Sequence, residues 1–171
     1  MARRASNSSG SPAAAYLREH QVDFELHKFD HDDRTEDYGP EAVRQLTAAL
    51  DCDPRAIFKS LVWSVDARHC LALVPVPSRV AAKKLASAMN ARRAELADSR
   101  TAERISGSAL GAISPFSMRR QIPVVIDDSV HQLDRMFVSA GRRGLEIALT
   151  PADAIAITGA LVSPIAISDG T

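Results

Sequence analysis

Several features are scarce in this sequence of 171 residues, and each scarcity excludes a class of protein. The two cysteines, Cys52 and Cys70, provide neither a disulfide framework nor the spacing of a metal site, and lone thiols are typical of the reducing cytoplasm. No apolar run approaches the length that crosses a membrane. The chain also lacks a P-loop and a GxGxxG motif, so neither of these phosphate-binding motifs is available to it.

Net charge is absent as well. Lys and Arg together number 21, Asp and Glu also number 21, and the formal net charge at pH 7 is zero. This argues against a protein held on nucleic acid by bulk charge alone, although paired basic residues could converge on a local groove for an RNA backbone. His27 and His31 lie among aspartates but have no third committed ligand, so we expect no metal.

The ends of the chain are expected to be tails. Residues 1–11 carry Arg3 and Arg4 followed by serine, asparagine and glycine, without the hydrophobic segment of a signal peptide. We expect a disordered tail at residues 1–11, a single domain at residues 12–166 and a C-terminal tail at residues 167–171.

The pattern of apolar residues predicts interleaved helices and strands. Ser11, Ser78 and Thr150 are expected as helix caps, and either Asp98 or Ser99 caps the helix that precedes residue 107. This interleaving favours an α+β domain with a mixed sheet wrapped by helices. The expected helices are 12–20, 40–50, 78–89, 95–106 and 151–158, and the expected strands are 22–29, 57–65, 69–76, 123–127, 136–139 and 145–149.

One lysine interrupts the most apolar strand. The run Ile57–Val65 has apolar residues at both alternating positions, which is typical of a strand covered on both faces. Burying an unpaired ammonium is unfavourable, so Lys59 either keeps its ammonium group solvated at the start of the strand or belongs to a functional site. The run alone leaves both interpretations open.

Two loops also have compositions that are unusual for loops with a purely structural role. Gly111–Pro115 has little side-chain bulk and lets backbone N–H groups approach a ligand. Ser139–Gly144 is a basic turn bounded by glycine, which could be an ordinary hairpin with solvated arginines or a grip on phosphate or a ribose terminus.

These segments, with a few others, carry a family resemblance. The segments are His31-Asp32, Tyr38-Gly39, Phe58–Leu61, Gly111–Pro115, Pro123–Asp127 and Phe137–Ile147. In the order and spacing of these segments, the chain from about residue 13 to residue 165 resembles the YbaK/EbsC family, free-standing relatives of the editing domain of bacterial prolyl-tRNA synthetases. The resemblance implies a curled, barrel-like mixed β-sheet of six or seven strands surrounded by helices.

The function that this resemblance implies is the trans-acting removal of cysteine from mischarged Cys-tRNA(Pro), with Cys-tRNA(Cys) as a further substrate. In such proteins the thiol of the substrate attacks its own ester and leaves as a cyclic thiolactone, so neither a metal, a cofactor nor a protein nucleophile is expected. The implied partners are the acceptor end of tRNA(Pro) and, in a ternary complex, prolyl-tRNA synthetase. The implied location is the cytoplasm.

The resemblance also assigns roles to residues. Lys59 matches the lysine on which the family depends and is the expected catalytic residue. The expected substrate-binding residues are Phe29, Tyr38, Ser60, Gly111, Ala112, Ile113, Ser114, Ser139, Gly141 and Glu146. The candidate contacts to tRNA are Arg119, Arg120, Arg142 and Arg143.

The sequence departs from the family pattern at four positions. Phe29 stands where a tyrosine is common, Tyr38 replaces a more usual phenylalanine, and Ala112 and Ala140 replace glycines. These departures leave open whether the substrate carries cysteine or carries alanine, which is removed by bound water. They also leave open a non-catalytic module that binds tRNA or a synthetase, and a small-molecule-binding domain that keeps only the fold.

Overall fold

The structure is a computed structural model that describes residues 10–169 and, for strand pairing only, Arg3–Arg4. The tail expected at residues 1–11 otherwise lies outside the described residues, apart from residue 10 and the helix cap Ser11. The helices are α1 (Pro12–Glu19), α2 (Tyr38–Leu50), α3 (Ala82–Ala88), α4 (Ser99–Ser106) and α5 (Pro151–Thr158). A short 3-10 helix covers Pro54–Ala56 and another covers Asp128–Gln132.

Side-chain caps begin three of these helices, as the sequence predicts. Ser11 Oγ accepts a hydrogen bond from Ala14 N, and Thr150 Oγ1 accepts one from Asp153 N. Asp98, one of the two expected caps, satisfies the free N–H of Thr101 at the start of α4.

The strands fall into three sheets. In chain order they are β1 (Arg3–Arg4), β2 (Glu25–Lys28), β3 (Phe58–Val65), β4 (Arg68–Pro75), β5 (Ser78–Val80), β6 (Ala94–Leu96), β7 (Val124–Asp127), β8 (Met136–Arg142), β9 (Leu145–Leu149), β10 (Leu161–Ser163) and β11 (Ala166–Ser168). The first sheet has the order β2-β9-β8, with the two residues of β1 added beside β2. The second has the order β10-β7-β4-β3-β6, and the third pairs β11 with β5.

The α+β class is confirmed, but the single curled, barrel-like sheet of six or seven strands is wrong. Among the described residues, one isolated parallel bridge, between Ile57 and Phe137, joins the first sheet to the second. Beyond it, β3 and β8 both line a cavity, and the register of β8 shifts between Ser139 and Arg142. The ladder therefore does not continue into a closed sheet. Within the second sheet, β7 runs parallel to β4 and β10, so that sheet is mixed.

Two helix predictions are partly wrong, because short strands pair over long sequence distances. Ser78 does not cap a helix; it begins β5, which pairs antiparallel with β11, and α3 starts only at Ala82. Ala94–Leu96 is a strand beside β3 rather than part of α4. Local patterns do not encode these partners. β11 includes Ile167 and Ser168, the first two residues of the expected C-terminal tail.

The second sheet is covered on both faces. Phe58 and Val62 of β3 pack in one hydrophobic cluster with residues of the first sheet, α1, α4 and α5. Trp63 and Val65 point the other way and pack in a second cluster with α3. This alternation is the reason that β3 is apolar at both parities.

Hydrogen bonds from the start of β11 to the buried carboxylate of Asp127 hold this strand in place. Asp127 is 4% exposed, and its carboxylate accepts hydrogen bonds from Ile165 N, Ala166 N and Ser129 N at 3.0, 2.8 and 3.2 Å. We expect Asp127→Ala to lower the free energy of unfolding in urea by about 2–4 kcal/mol, because buried N–H donors lose a charged acceptor. The neighbouring Asp128 is exposed, so Asp128→Ala is expected to change it by less than about 0.5 kcal/mol. Equal stabilities of the two variants would contradict this role.

Candidate active site

A cavity of about 550 Å³ lies beside β3, a volume typical of small-ligand sites. On this edge of the strand, β6 pairs only with Trp63–Val65, so the stretch before Trp63 faces the cavity. Seven of the predicted site residues line it: Tyr38, Lys59, Ser60, Gly111, Ile113, Ser139 and Glu146. A second cavity of about 270 Å³, lined partly by Asp127 and Ser129, contains none of them.

Strand pairing explains why residues so distant in sequence meet here. The bridge between Ile57 and Phe137 sets the start of β3 beside β8. Lys59 and Ser139 each lie two residues beyond this bridge on the two strands. Ser139 is paired in turn with Glu146 on β9. The structure therefore brings the lysine strand and the Ser139 segment together at one cavity.

Lys59 is partly buried at the wall of the cavity. Its Nζ donates a hydrogen bond to the carbonyl oxygen of Val76 at 3.3 Å. Burial lowers the pKa of the Lys59 ammonium; the carboxylate of Asp169 opposes this effect and Arg79 adds to it. The lysine thus has one backbone acceptor and lines the cavity.

Glu146 is the most perturbed acid of the cavity. Glu146 is only 7% exposed, and burial raises the pKa of its carboxyl group to about 8. Glu146 Oε2 and Ser60 Oγ are buried and have no hydrogen-bond partner among the described residues. At neutral pH the carboxyl group is mostly protonated, so the cavity has a neutral acid and a hydroxyl free to bind polar atoms of a ligand.

The ring of Tyr38 links three segments at the rim. One face contacts Gly111, where an added Cβ would lie 2.3 Å from Tyr38 Cγ and where φ is +80°. The guanidinium carbon of Arg143 lies 4.2 Å from the ring centroid, a cation–π distance, and Arg143 Nε donates to Leu110 O at 2.9 Å. The start of α2, the glycine loop and the β8–β9 turn are therefore held together at the cavity.

A buried acid, Glu41, holds the strand-exit loop. Glu41 accepts a hydrogen bond from Asp32 N at 2.8 Å through Oε1, and its Oε2 lies 2.7 Å from His31 Nδ1. Neither His31 nor Asp32 lines the cavity. Within residues 10–169, no group of three or more His, Cys, Asp or Glu side chains could hold a metal ion.

Four predicted substrate-binding residues lie outside the cavity lining. Phe29 packs in a hydrophobic cluster with Leu46 and Phe137. Ala112 is buried beside lining residues. Ser114 is also buried, and its Oγ accepts from Phe116 N at 3.3 Å. Gly141, with φ of +94°, would place a Cβ 3.1 Å from Ser117 Oγ.

The candidate tRNA contacts lie at different places on the surface. Arg143 touches the cavity rim through Tyr38, and Arg142 is exposed in the same turn. Arg119 and Arg120 are exposed beyond α4, where their backbone N–H groups bond Ser106 O and Ile105 O. None of the four arginines lines the cavity.

The sequence interpretation missed several lining residues. They include Glu36, Asp37, Leu96, Ser99 and Asp169. Asp37 directly precedes the Tyr38-Gly39 motif and could have been found from it. No local sequence pattern points to Asp169 as a lining residue, because its position depends on the pairing of β11 with β5.

Comparison with known proteins identifies related sequences. The model of the aminoacyl-tRNA editing domain family matches residues 40–157. EbsC from Enterococcus faecalis, provisionally described as a Cys-tRNA(Pro)/Cys-tRNA(Cys) deacylase, is 26% identical over 147 residues, covering 85% of this chain and 87% of EbsC. A proline–tRNA ligase from Geobacillus kaustophilus is 24% identical over 106 residues, covering 62% of this chain and 19% of the ligase.

Solved structures share the fold. A crystal structure described provisionally as a trans-editing enzyme for prolyl-tRNA synthetase has a TM-score of 0.78 and 20% identity, covering 95% of this chain and 99% of that one. None of the helices among the described residues is long and apolar enough to cross a membrane.

The contact between Gly111 and Tyr38 generates a prediction for rim geometry. Gly111→Ala should destabilise the protein and slow its activity, because the new Cβ overlaps the ring and the backbone is left-handed. Gly159→Ala is the matched control: φ there is +62°, but nothing lies within 4 Å of the added Cβ. We expect the control to lower the free energy of unfolding by about 1 kcal/mol and Gly111→Ala by clearly more. Equal losses would show that the ring does not pack as described.

The buried carboxyl group generates a prediction for pH dependence. The folded-state pKa of Glu146, about 8, lies above the ordinary value of 4.5 for a glutamate side chain, so folding favours the protonated form. The contribution of Glu146 to stability is therefore present below pH 4.5 and is lost as the pH rises toward about 8. Glu146→Gln should remove this loss, so that its free energy of unfolding relative to wild type rises with pH, by at most about 1.4 kcal/mol per pH unit. Glu19→Gln, at an exposed position, is the control, and parallel pH profiles for wild type and Glu146→Gln would contradict the assignment.

Proposed function

Because the chain belongs to the aminoacyl-tRNA editing domain family, we propose that it is a trans-acting deacylase that removes cysteine from mischarged Cys-tRNA(Pro). The description of EbsC, which matches most of the chain, supports this substrate and Cys-tRNA(Cys) as a further one. The observation that carries the proposal is the cavity beside β3, which combines Lys59 with the uncommitted polar groups of Ser60 and Glu146. Such a reaction belongs to translation in the cytoplasm.

The proposed chemistry uses the substrate's own nucleophile. The cysteine sulfur attacks its ester carbonyl, a C–S bond forms, and the bond from the carbonyl carbon to the ribose oxygen breaks. The thiol proton ends on the ribose hydroxyl that leaves, and the amino acid departs as a cyclic thiolactone that water hydrolyses in solution. The protein then needs to orient the thiol, stabilise the developing charge and assist proton transfer.

Lys59 is the group proposed to act on the developing charge. Its ammonium faces the cavity with one hydrogen bond to Val76 O, and burial lowers its pKa, which makes it a better proton donor. A hydrogen bond from Nζ to the ester oxygens stabilises the negative charge of the transition state more than that of the ground state. The polar groups of Ser60 and Glu146 hold the aminoacyl portion.

The acceptor end of the RNA would approach over the rim formed by Tyr38 and Arg143. Arg142 adjoins this rim, and Arg119 and Arg120 are proposed to meet phosphates farther along the acceptor stem. Because the whole chain has no net charge, such binding is expected to be modest and sensitive to salt. A ternary complex with prolyl-tRNA synthetase would supply selectivity for the tRNA that a weak binder lacks.

A second candidate substrate is Ala-tRNA(Pro). Alanine has no thiol, so its removal would require a water molecule positioned beside the ester. Ser60 Oγ and Glu146 Oε2 are buried, uncommitted and on the same cavity, and groups of this kind can hold such a water. With this substrate the protein would still be a deacylase, but the nucleophile would be water instead of the thiol of the substrate.

The test is single-turnover deacylation of Cys-tRNA(Pro) and Ala-tRNA(Pro), with and without EDTA. We expect rapid, EDTA-insensitive loss of cysteine, slowed about 100-fold or more in Lys59→Ala, which removes the charge at the ester. Lys83→Ala is the matched control, because Lys83 is exposed on α3 and lies outside the cavity lining.

Each other outcome has a distinct meaning. Preferential loss of alanine would move the mechanism to bound water. Equal rates for Lys59→Ala and Lys83→Ala would remove Lys59 from the mechanism. Cleavage of neither substrate would contradict the deacylase and leave a binding module.

A further inference from the structure

A second cation is paired with one of the residues that line the cavity. Arg79, in the middle of β5, forms an ion pair with Asp169, and the side chains of the two residues are 63% and 54% exposed. Asp169 also lines the cavity, as does Lys59. A carboxylate that lines the same cavity as Lys59 is thus paired with an arginine that is not part of the lining. Neither the sequence interpretation nor the proposed mechanism assigns Arg79 or Asp169 a role.

The backbone explains how these three residues meet. Lys59 donates to the carbonyl of Val76, the residue that follows β4, and the turn there leads directly into β5. β11 pairs with β5 in antiparallel register, with Ile167 opposite Arg79, so the chain delivers Asp169 beside the arginine as it leaves the strand. The electrostatic effects on Lys59 agree with this arrangement, because the charge of Asp169 raises the pKa of Lys59 and the charge of Arg79 lowers it.

The chemistry of the position suits a larger anion than a carboxylate. An arginine presents a planar set of N–H donors that matches the oxygens of a phosphate, and a nearby ammonium adds a second charge. An exposed arginine–carboxylate pair contributes little in water, so a phosphate group can replace the carboxylate at small cost. The acceptor end of a tRNA brings phosphates to the mouth of a cavity that takes its aminoacyl group.

We propose that Arg79 forms a phosphate-binding site beside the cavity, with the charge of Lys59 as a further attraction, and that Asp169 occupies this site in the free protein and is displaced by a phosphate of the acceptor strand. This inference rests on the proposed function, since it takes the RNA to be the source of the phosphate. It makes Arg79 a substrate-binding residue and Asp169 an internal competitor, so removing the two should have opposite effects.

The first measurement is the affinity for uncharged tRNA(Pro) as a function of salt. Arg79→Ala should weaken binding about three- to tenfold and reduce the slope of log affinity against log salt by about one, the loss of one phosphate contact. Asp169→Asn should tighten binding about two- to tenfold, because the arginine no longer has a competing carboxylate. The matched controls are Arg93→Ala and Glu95→Gln, which break another exposed ion pair whose members lie outside the cavity lining.

The second measurement compares cleavage of Cys-tRNA(Pro) with cleavage of cysteinyl-adenosine, an ester that has no phosphate. Arg79→Ala should raise KM for the tRNA substrate and leave the rate for cysteinyl-adenosine within about twofold of wild type. Asp169→Asn should lower KM for the tRNA substrate only. An Arg79→Ala protein that binds and cleaves like Arg93→Ala, or an Asp169→Asn protein that binds RNA more weakly than wild type, would overturn the proposal. If neither substrate is cleaved, the proposed function is wrong. The binding measurements would still show on their own whether Arg79 and Asp169 form the phosphate site.

Discussion

One backbone bridge sets the position of the candidate active site. The pairing of Ile57 with Phe137 joins the sheet that carries Lys59 to the sheet that carries Ser139 and Glu146. Because the two strands do not continue as a ladder, the space beyond the bridge remains as a cavity, and the lysine and the buried acid both line it. A closed sheet would have filled this space with paired backbone, so the break between the sheets and the site have the same structural origin.

The cavity retains polar groups that folding alone does not favour. A carboxyl group that is 7% exposed, with one oxygen unpartnered among the described residues, costs free energy in the folded state, and so does the buried hydroxyl of Ser60. The surrounding segments are held in place, because Tyr38 contacts both Gly111 and Arg143 and Glu41 holds the loop that precedes α2. Uncommitted groups inside a fixed frame are the arrangement expected where a ligand completes the hydrogen bonding.

Much of this could be predicted from the sequence, for identifiable reasons. The helix caps Ser11 and Thr150, the apolar strand around Lys59 and the glycine loop at Gly111 have strong local signals, and the structure contains them. What failed depends on partners distant in sequence. Ser78 was expected to cap a helix, but it pairs with β11, and the separation of the sheets follows from where ladders stop. For the same reason Asp169 was missed, and Phe29, predicted to line the pocket, packs instead in a hydrophobic cluster.

The central claim is that the cavity beside β3 holds the aminoacyl end of a tRNA. The most direct measurement is a crystal structure with an analogue in which cysteine is joined to adenosine by an amide, so that it cannot be cleaved. The account predicts the cysteine side chain against Ser60 and Glu146, with Lys59 Nζ within hydrogen-bonding distance of the amide that replaces the ester. An analogue bound in the smaller cavity beside Asp127, or bound with its cysteine pointing away from Lys59, would contradict the account.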